Sequence, residues 1–320
     1  MKLSKLDKAS VIAIRDCMGT TQDESVLIIS DAKKREIGLS LFENAKRLGH
    51  HSLYVEIIPG KVNGEEPSDE ISELMKKFDV VLCPTSTSLT HTDARRNASS
   101  LGARIATFPG ITKAVMIRGL NTDYNKISDL SLKLKSILEN GKRVRITTKI
   151  GTDISFSIEG RTSYASKGLF HAKSESGNLP TGETFLAPVE GTSNGIFIVD
   201  GSMAGLGLVK NANIKIKVEN GYATEITGGK MAKKLVKMLE AAGAEARNIA
   251  EFGIGTNHAA KLSGVLLEDE KVLGTIHIAL GNNKSMGGSV GVALHLDGVI
   301  KKPSVFLDDT LLMKKGKLLI

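Results

Sequence analysis

The sequence predicts an α/β N-terminal domain with a parallel sheet, followed by a β-rich α+β domain. Three observations lead to this prediction. The 320 residues exceed the length of about 250–300 residues at which one hydrophobic core usually stops growing. Apolar runs typical of strands alternate with helical patterns in the first part of the chain, and short strand-like runs separated by glycine or asparagine dominate after Lys142. The expected domains are therefore residues 1–140 and 141–320.

The alternation in the N-terminal part begins with "SVLIIS", a β-branched run that predicts a strand. The next segment has apolar residues at helical spacing from Ile37 to Leu48 and a stop at Gly49. "HSLYVEII" is extended again, and "DLSLKLKSILENGK" predicts the last helix of the domain. Between them lie two more helix and strand pairs: "SDEISELMKKF" with "DVVLCPT", and "HTDARRNASSLG" with "ARIATFPG". Such alternation is typical of a parallel sheet covered on both faces.

The C-terminal part reads as many short strands with one helix. Asn220-Gly221 lies between two alternating runs, which is a strong hairpin signal. The helix is predicted from "MAKKLVKMLEAAGAEA", which is amphipathic. The strands are predicted from "RVRITTK", "DISFSIEGR", "GIFIVDGS", "NIKIKVENGYATEITGG", "GTIHIAL", "VGVALHLDG" and "PSVFLDD".

Composition excludes several classes of protein. No run approaches the roughly 20 apolar residues of a membrane span, and we expect no contact with a membrane. The two cysteines, Cys17 and Cys83, form no disulfide framework, which fits a reducing cytoplasm. The net charge is +8, but the basic residues are spread along the chain and only 4% of residues are aromatic, so nucleic-acid binding has little support.

Five polar residues stand in apolar, glycine-punctuated segments of the C-terminal part, where charged side chains need partners. They are Glu183 in "LPTGETFLAP", Glu251 in "EFGIGTN", His277 in "HIALGNN", and His295 with Asp297 in "LHLDG". Together they form a nitrogen and oxygen ligand set suited to zinc, cobalt or manganese. His295 and Asp297 share one face of a strand, so a metal or a mutual hydrogen bond explains them about equally well. Taken singly, a strand histidine is more often a core residue.

Two other segments have competing interpretations. His91 and Asp93 follow a strand end and open a helix, where an anion could bind, but an ordinary N-cap at Thr90 or Thr92 explains the pattern equally well. The acidic run "EDE", residues 268–270, could add a metal ligand but is more typical of a solvated turn. The glycines of "GSMAGLGL" do not follow a strand and open a helix, which argues against a dinucleotide site.

The motifs of residues 178–298, in order and spacing, resemble those of the thermophilic aminopeptidase family typified by aminopeptidase T. They are "LPTGETFLAP", "EFGIGTN", "EDEKVLGTIHIALGNN" and "LHLDGVI". The resemblance implies that Glu183, Glu251, His277, His295 and Asp297 hold two divalent ions, zinc, cobalt or manganese, at a cleft between the domains. It also implies a homodimer. We therefore predict a cytoplasmic metallo-aminopeptidase acting on small peptides or amino-acid derivatives, with Glu251 as proton shuttle for a metal-activated water.

One departure from that family leaves alternatives open. Family aminopeptidases carry a tyrosine seven residues after the "HIALG" histidine, and Lys284 stands there in this sequence, where it could stabilise an oxyanion. Iron-dependent dioxygenases that open dihydroxypyridine rings resemble the same family, and His277, His295 and Asp297 would then hold one Fe(II). The presence of both glutamates favours the two-metal hydrolase. A non-catalytic small-anion-binding protein is the third possibility.

Overall fold

A computed structural model describes residues 3–320 and divides into two compact units. The first unit contains the residues up to Ser128 together with Ser166–Thr181, and the second contains Asp129–Ala165 and Gly182–Ile320. The sequence prediction placed one boundary near residue 140. The division instead falls at residue 128 and returns a later segment to the first unit.

Eight α-helices are present in residues 3–320. They are α1 (Lys5–Val11), α2 (Arg35–Arg47), α3 (Asp69–Met75), α4 (Asp93–Ser100), α5 (Lys113–Leu120), α6 (Tyr124–Glu139), α7 (Gly229–Ala242) and α8 (Leu266–Asp269). A π-helical turn continues α1, and two 3-10 turns occur in the second unit: Ile12–Cys17, Ala244–Arg247 and Lys284–Met286. The sequence analysis predicted α2, α3, α4, α6 and α7.

Within the described part of the chain, residues 3–320, twenty strands form three sheets. They are β1 (Val26–Asp31), β2 (Ser52–Ile57), β3 (Val80–Cys83), β4 (Arg104–Thr107), β5 (Arg143–Thr147), β6 (Asp153–Ser157), β7 (Tyr164–Ser166), β8 (Ser176–Asn178), β9 (Glu183–Leu186), β10 (Asn194–Val199), β11 (Ser202–Met203), β12 (Gly207–Leu208), β13 (Ile214–Glu219), β14 (Tyr222–Thr227), β15 (Ile249–Gly255), β16 (Thr275–Gly281), β17 (His295–Lys301), β18 (Ser304–Leu307), β19 (Thr310–Lys314) and β20 (Lys317–Leu318).

The first unit is built on a five-stranded sheet in the order β2-β1-β3-β4-β8. All four pairings are parallel, and every residue of β1, β3 and β4 is buried, as expected for strands covered on both faces. The predicted α/β N-terminal fold is confirmed. The fifth strand is β8, which comes from much later in the chain and pairs with β4 through Ile105 and Ser176. Three residues, Ser-Gly-Asn, carry no strand pattern that could have predicted it.

The second unit contains two further sheets, which confirms the predicted β-rich α+β fold. Their orders are β14-β13-β10-β6-β5-β18-β19-β20 and β12-β11-β17-β16-β15-β9-β7. The hairpin between β13 and β14 turns at Asn220 and Gly221, whose φ angles are +48° and +82°. These left-handed angles are what a two-residue hairpin turn requires, and Asn-Gly accepts them at low cost.

The hydrophobic core of the second unit fixes which face of β15 remains for polar residues. Phe252 and Ile254 of β15 are fully buried in this core with Leu235 of α7, and the rings of Phe252 and Phe156 lie 5.5 Å apart. Alternate residues of a strand point to opposite faces. The side chain of Glu251 therefore points away from this core.

Two local predictions concern helix ends and membrane spans. The Thr92 hydroxyl accepts a hydrogen bond from the Arg95 backbone N–H and caps α4, so the N-cap interpretation explains this segment.

Within residues 3–320, none of the helices combines the length and apolar character that a membrane span requires.

Candidate metal centre

The five predicted ligand residues lie on one face of four adjacent antiparallel strands. The strand order is β9-β15-β16-β17, and directly paired residues share a face. Ala279 of β16 is paired with Glu251 on one side and with Asp297 on the other. His277 is two residues from Ala279 in β16, and His295 pairs with Gly281, two residues from Ala279 in the other direction. Both histidines therefore lie on the same face. Glu183 joins them because it pairs with Gly255 of β15.

Glycines on this face make room for the polar groups. Gly253 is paired with His277, and a Cβ at Gly253 would lie 2.0 Å from His277 Nε2. A Cβ at Gly255 would lie 2.3 Å from the carbonyl oxygen of Val272. The "EFGIGTN" motif therefore supplies one carboxylate and, through its two glycines, the space for an imidazole and for a crossing backbone.

Three of the donor atoms form the tightest group. Glu251, His295 and Asp297 each offer a ligand atom, and these atoms lie within 4.8 Å of one another. His295 Nε2 lies 3.0 Å from Glu251 Oε2 and 3.4 Å from Asp297 Oδ1. His277 adjoins this group, since its Nε2 lies 3.1 Å from Glu251 Oε1 and 3.7 Å from Glu183 Oε2. Two carboxylates and one imidazole within this span are suited to a metal cofactor.

The surroundings of the two histidines fit metal binding. His295 Nδ1 lies 2.7 Å from the backbone oxygen of Asn282, a contact that directs Nε2 toward the acids. Ligand histidines in metalloproteins are commonly oriented by such a backbone carbonyl. His277 Nδ1 and Glu183 Oε2 are buried with no hydrogen-bond partner, and buried polar atoms rarely remain so unless a ligand satisfies them.

One residue of the site, Lys271, was not predicted from the sequence. Lys271 is 4% exposed, and its Nζ lies 2.6 Å from Glu183 Oε1 and 2.5 Å from Glu270 Oε1. Glu268 and Asp269 are also buried, so the run "EDE" does not form the solvated turn favoured by its sequence. The sequence signal that could have indicated Lys271 is its position, since it is a charged residue between an acidic run and a buried strand.

The carboxylates strongly favour positive charge within the cluster. Burial would lower the pKa of His277, but its hydrogen bond to Glu251 and the charges of Glu251, Glu183 and Asp297 raise it to about 9. The pKa of His295 is raised well above its usual value, because the charge of Asp297 and the contacts with Glu251 outweigh burial. Burial would raise the pKa of Glu251, but its hydrogen bonds with both histidines lower it. A divalent cation would satisfy the same demand for positive charge.

Comparison with known proteins identifies the family. The sequence model of the family described as "NicX: 2,5-dihydroxypyridine 5,6-dioxygenase" matches residues 13–320, nearly the whole chain. The chain belongs to the NicX family. No protein of curated function matches the sequence.

Two solved structures share the fold. The 2,5-dihydroxypyridine dioxygenase from Pseudomonas putida KT2440 is 18% identical, with a TM-score of 0.84 over 99% of this chain and 98% of that one. Wild-type AmpT from Thermus thermophilus is 17% identical, with a TM-score of 0.71 over 99% of each chain. The resemblance to aminopeptidase T thus reflects a shared fold.

The NicX match overturns the predicted reaction. The sequence analysis predicted a hydrolase, a metallo-aminopeptidase acting on peptides, and this prediction is wrong because the matching family is one of oxidoreductases. The motifs shared with aminopeptidase T place the polar residues on adjacent strands of one sheet. The dioxygenase named as an alternative agrees with the family.

Lys284, the residue that departs from the aminopeptidase pattern, lies in the segment between β16 and β17. It is exposed, and its backbone N–H donates to Asn282 Oδ1 over 3.0 Å. Its side chain passes close to Gly291, where an added Cβ would lie 2.6 Å from Lys284 Cε. In a NicX-family chain no oxyanion of peptide hydrolysis needs to be stabilised, and a catalytic role for Lys284 stays a prediction.

Glu190 anchors this same segment, which precedes His295. Its Oε1 accepts hydrogen bonds from the Ser289 backbone N–H at 2.8 Å and from the Asn283 amide at 2.9 Å. Its Oε2 pairs with Arg161, which also donates to the backbone oxygen of Gly287. Partial burial would raise the pKa of Glu190, but these hydrogen bonds and the arginine charge lower it to about 2.

Glu190→Gln is expected to destabilise the protein in a pH-dependent way. A carboxylate whose pKa is lowered from 4.5 to about 2 on folding adds stability that is present above pH 4.5 and is lost between pH 4.5 and 2. With solvent screening allowed for, we expect a loss of about 1 kcal/mol at pH 7 that shrinks by pH 3. Urea unfolding at both pH values measures this difference. Glu240→Gln, on the exposed side of α7, is the control and should show no such trend.

Proposed function

We propose that this protein is an Fe(II)-dependent dioxygenase that opens a dihydroxylated pyridine ring, with one iron ion held by Glu251, His295 and Asp297. The observation that carries the proposal is the group of three donor atoms within 4.8 Å, in a chain that belongs to the NicX family. Enzymes of this chemistry bind iron through a few histidine and carboxylate ligands and leave positions open for substrate.

His277 acts on this group through Glu251. Its Nε2–H donates to Glu251 Oε1, and this bond leaves Glu251 Oε2 directed at His295. The imidazole is 1% exposed and lies over Gly253, so it has little freedom to turn away. The sequence analysis placed His277 among the metal ligands. We propose that it positions the ligand Glu251.

The reaction adds the two atoms of O2 across one bond of the ring. Bound Fe(II) supplies the one-electron chemistry that lets O2 react with an aromatic ring. When the bond between C5 and C6 breaks, the hydroxylated carbon becomes a carboxylic acid and its neighbour becomes a formyl group, so both oxygen atoms are found in the product. The chain's own residues hold the ion and, through the buried acids, keep positive charge at the site.

The substrate is a small molecule, and the family description indicates 2,5-dihydroxypyridine. The homodimer and the cytoplasmic location expected from the sequence stay predictions.

Oxygen uptake tests the proposal. Metal-free protein is reloaded with Fe(II) under nitrogen and is then assayed with O2. It should consume one O2 per 2,5-dihydroxypyridine and abolish the absorbance of the ring. Protein reloaded with Zn²⁺ should consume none, because Zn²⁺ has no accessible redox state.

Substrate controls sharpen this test. 2-Hydroxypyridine, which lacks the hydroxyl at the cleaved bond, should give no uptake, and leucine amide should not be hydrolysed. Absence of oxygen uptake by protein carrying stoichiometric Fe(II) would refute the proposed reaction.

A further inference from the structure

A buried lysine, Lys271, lies inside the acid cluster, in contact with Glu183 and Glu270. The Lys271 ammonium contacts Glu183 Oε1 and Glu270 Oε1, at 2.6 and 2.5 Å, and both acids are largely buried. An ammonium is costly to bury unless close carboxylates compensate its charge. These two contacts provide that compensation.

The backbone fixes this lysine in place. The segment following α8 crosses β15 at Gly255, where any side chain would strike the carbonyl of Val272. The backbone oxygen of Lys271 accepts a hydrogen bond from the Asn257 N–H at 2.8 Å, and the Leu273 N–H donates to Asn257 O at 3.1 Å. The ammonium is therefore held near Glu183 by the path of the chain.

The acids consequently divide into two sets. Glu251 and Asp297 surround His295, whereas Glu183 and Glu270 surround Lys271. A two-metal centre holds its ions about 3.5–4 Å apart and needs carboxylates for both. Here the carboxylate that the aminopeptidase resemblance assigns to the pair of ions, Glu183, already binds a cation of the protein.

We propose that the Lys271 ammonium takes the place of a second metal ion and restricts the centre to one divalent ion. This inference rests on the proposed function, because it requires that the centre binds metal. It adds that Lys271 determines whether the centre binds one ion or two. Without the ammonium, Glu183 and Glu270 would be two buried carboxylates beside an occupied metal site, and Glu183 would keep its 3.7 Å contact with His277 Nε2. A second divalent ion would then bind there.

Manganese binding tests this inference without any turnover. Mn²⁺ is stable in air, and electron paramagnetic resonance distinguishes an isolated ion, with six sharp lines, from a spin-coupled pair. The wild-type protein should bind one Mn²⁺ per chain and show the isolated signal. Lys271→Met, which keeps an unbranched side chain one atom shorter and removes its charge, should bind two and show a coupled signal. Lys261→Met, the same change at an exposed lysine of the same unit, should bind one.

Two results would overturn the inference. One is a wild-type protein that binds two coupled Mn²⁺ ions, and the other is folded Lys271→Met that still binds one. If Lys271→Met does not fold, the double variant Lys271→Met/Glu270→Gln removes an acid with the ammonium, and it should gain a second ion at Glu183 or else refute the inference. The oxygen-uptake assay is separate: one Mn²⁺ per chain without dioxygenase activity in the Fe(II) form would refute the proposed reaction alone.

Discussion

His295→Ala is expected to yield a folded protein without stoichiometric iron and with oxygen uptake reduced by more than about 100-fold, the upper end of the loss seen for residues that only orient ligands. The physical reason is the central place of this imidazole. Its Nε2 lies 3.0 Å from Glu251 and 3.4 Å from Asp297, so its removal leaves two acids without the nitrogen ligand between them.

Metal analysis after Fe(II) reconstitution and an oxygen electrode measure the two effects, and circular dichroism checks the fold. His51→Ala, at an exposed histidine of the first unit, is the control and should retain iron and activity. Because the loss of His295 leaves Glu251 and Asp297 buried without their cationic neighbour, the metal-free variant should also be less stable than the wild type. A His295→Ala protein with full iron content would show that the ion binds elsewhere.

Gly253→Ala is expected to lower both stability and iron affinity. The new Cβ would lie 2.0 Å from His277 Nε2, so the imidazole must move and lose its 3.1 Å contact with Glu251. Overpacking of this kind costs about 1–3 kcal/mol. The displaced ring also ceases to orient Glu251, which should weaken iron binding by about 10–100-fold.

Urea unfolding and Fe(II) titration check these values, and a double variant isolates the cause. In a His277→Ala background the ring is absent, so adding Gly253→Ala should cost much less stability than it does in the wild type. An equal cost in both backgrounds would mean that the alanine disturbs the strand itself and that the close approach to His277 is unimportant.

The sequence carried enough information for the folds of both units and for which polar residues come together. The periodicity of apolar residues and the residues typical of turns are local features of the sequence. β1, α2 and the Asn220-Gly221 hairpin can therefore be predicted from a few neighbouring residues. The polar residues could be grouped because each stands in a strand motif, and adjacent strands bring them to one face.

The number of ions and the reaction could not be derived in this way. The motifs around Glu183 and Glu251 are compatible with a two-metal hydrolase and with a dioxygenase, since a solved structure of each kind shares this fold. The contact that we propose limits the centre to one ion joins Glu183 and Lys271, residues far apart in sequence that meet where the chain crosses β15 at Gly255. Sequence motifs that lie in separate segments give no information about such a contact.

The short strand β8 has a consequence for attempts to divide this protein. Residues 176–178 complete the first sheet, and they belong to Ser166–Thr181, a segment of the first unit that interrupts the second unit in the sequence. A fragment ending at residue 140 would lack β8 and leave the edge of β4 unpaired, which invites aggregation. Neither unit is one continuous stretch of the gene. A single crossover between two such genes therefore cannot exchange an intact metal-binding unit, and chimeras would have to be joined at several points.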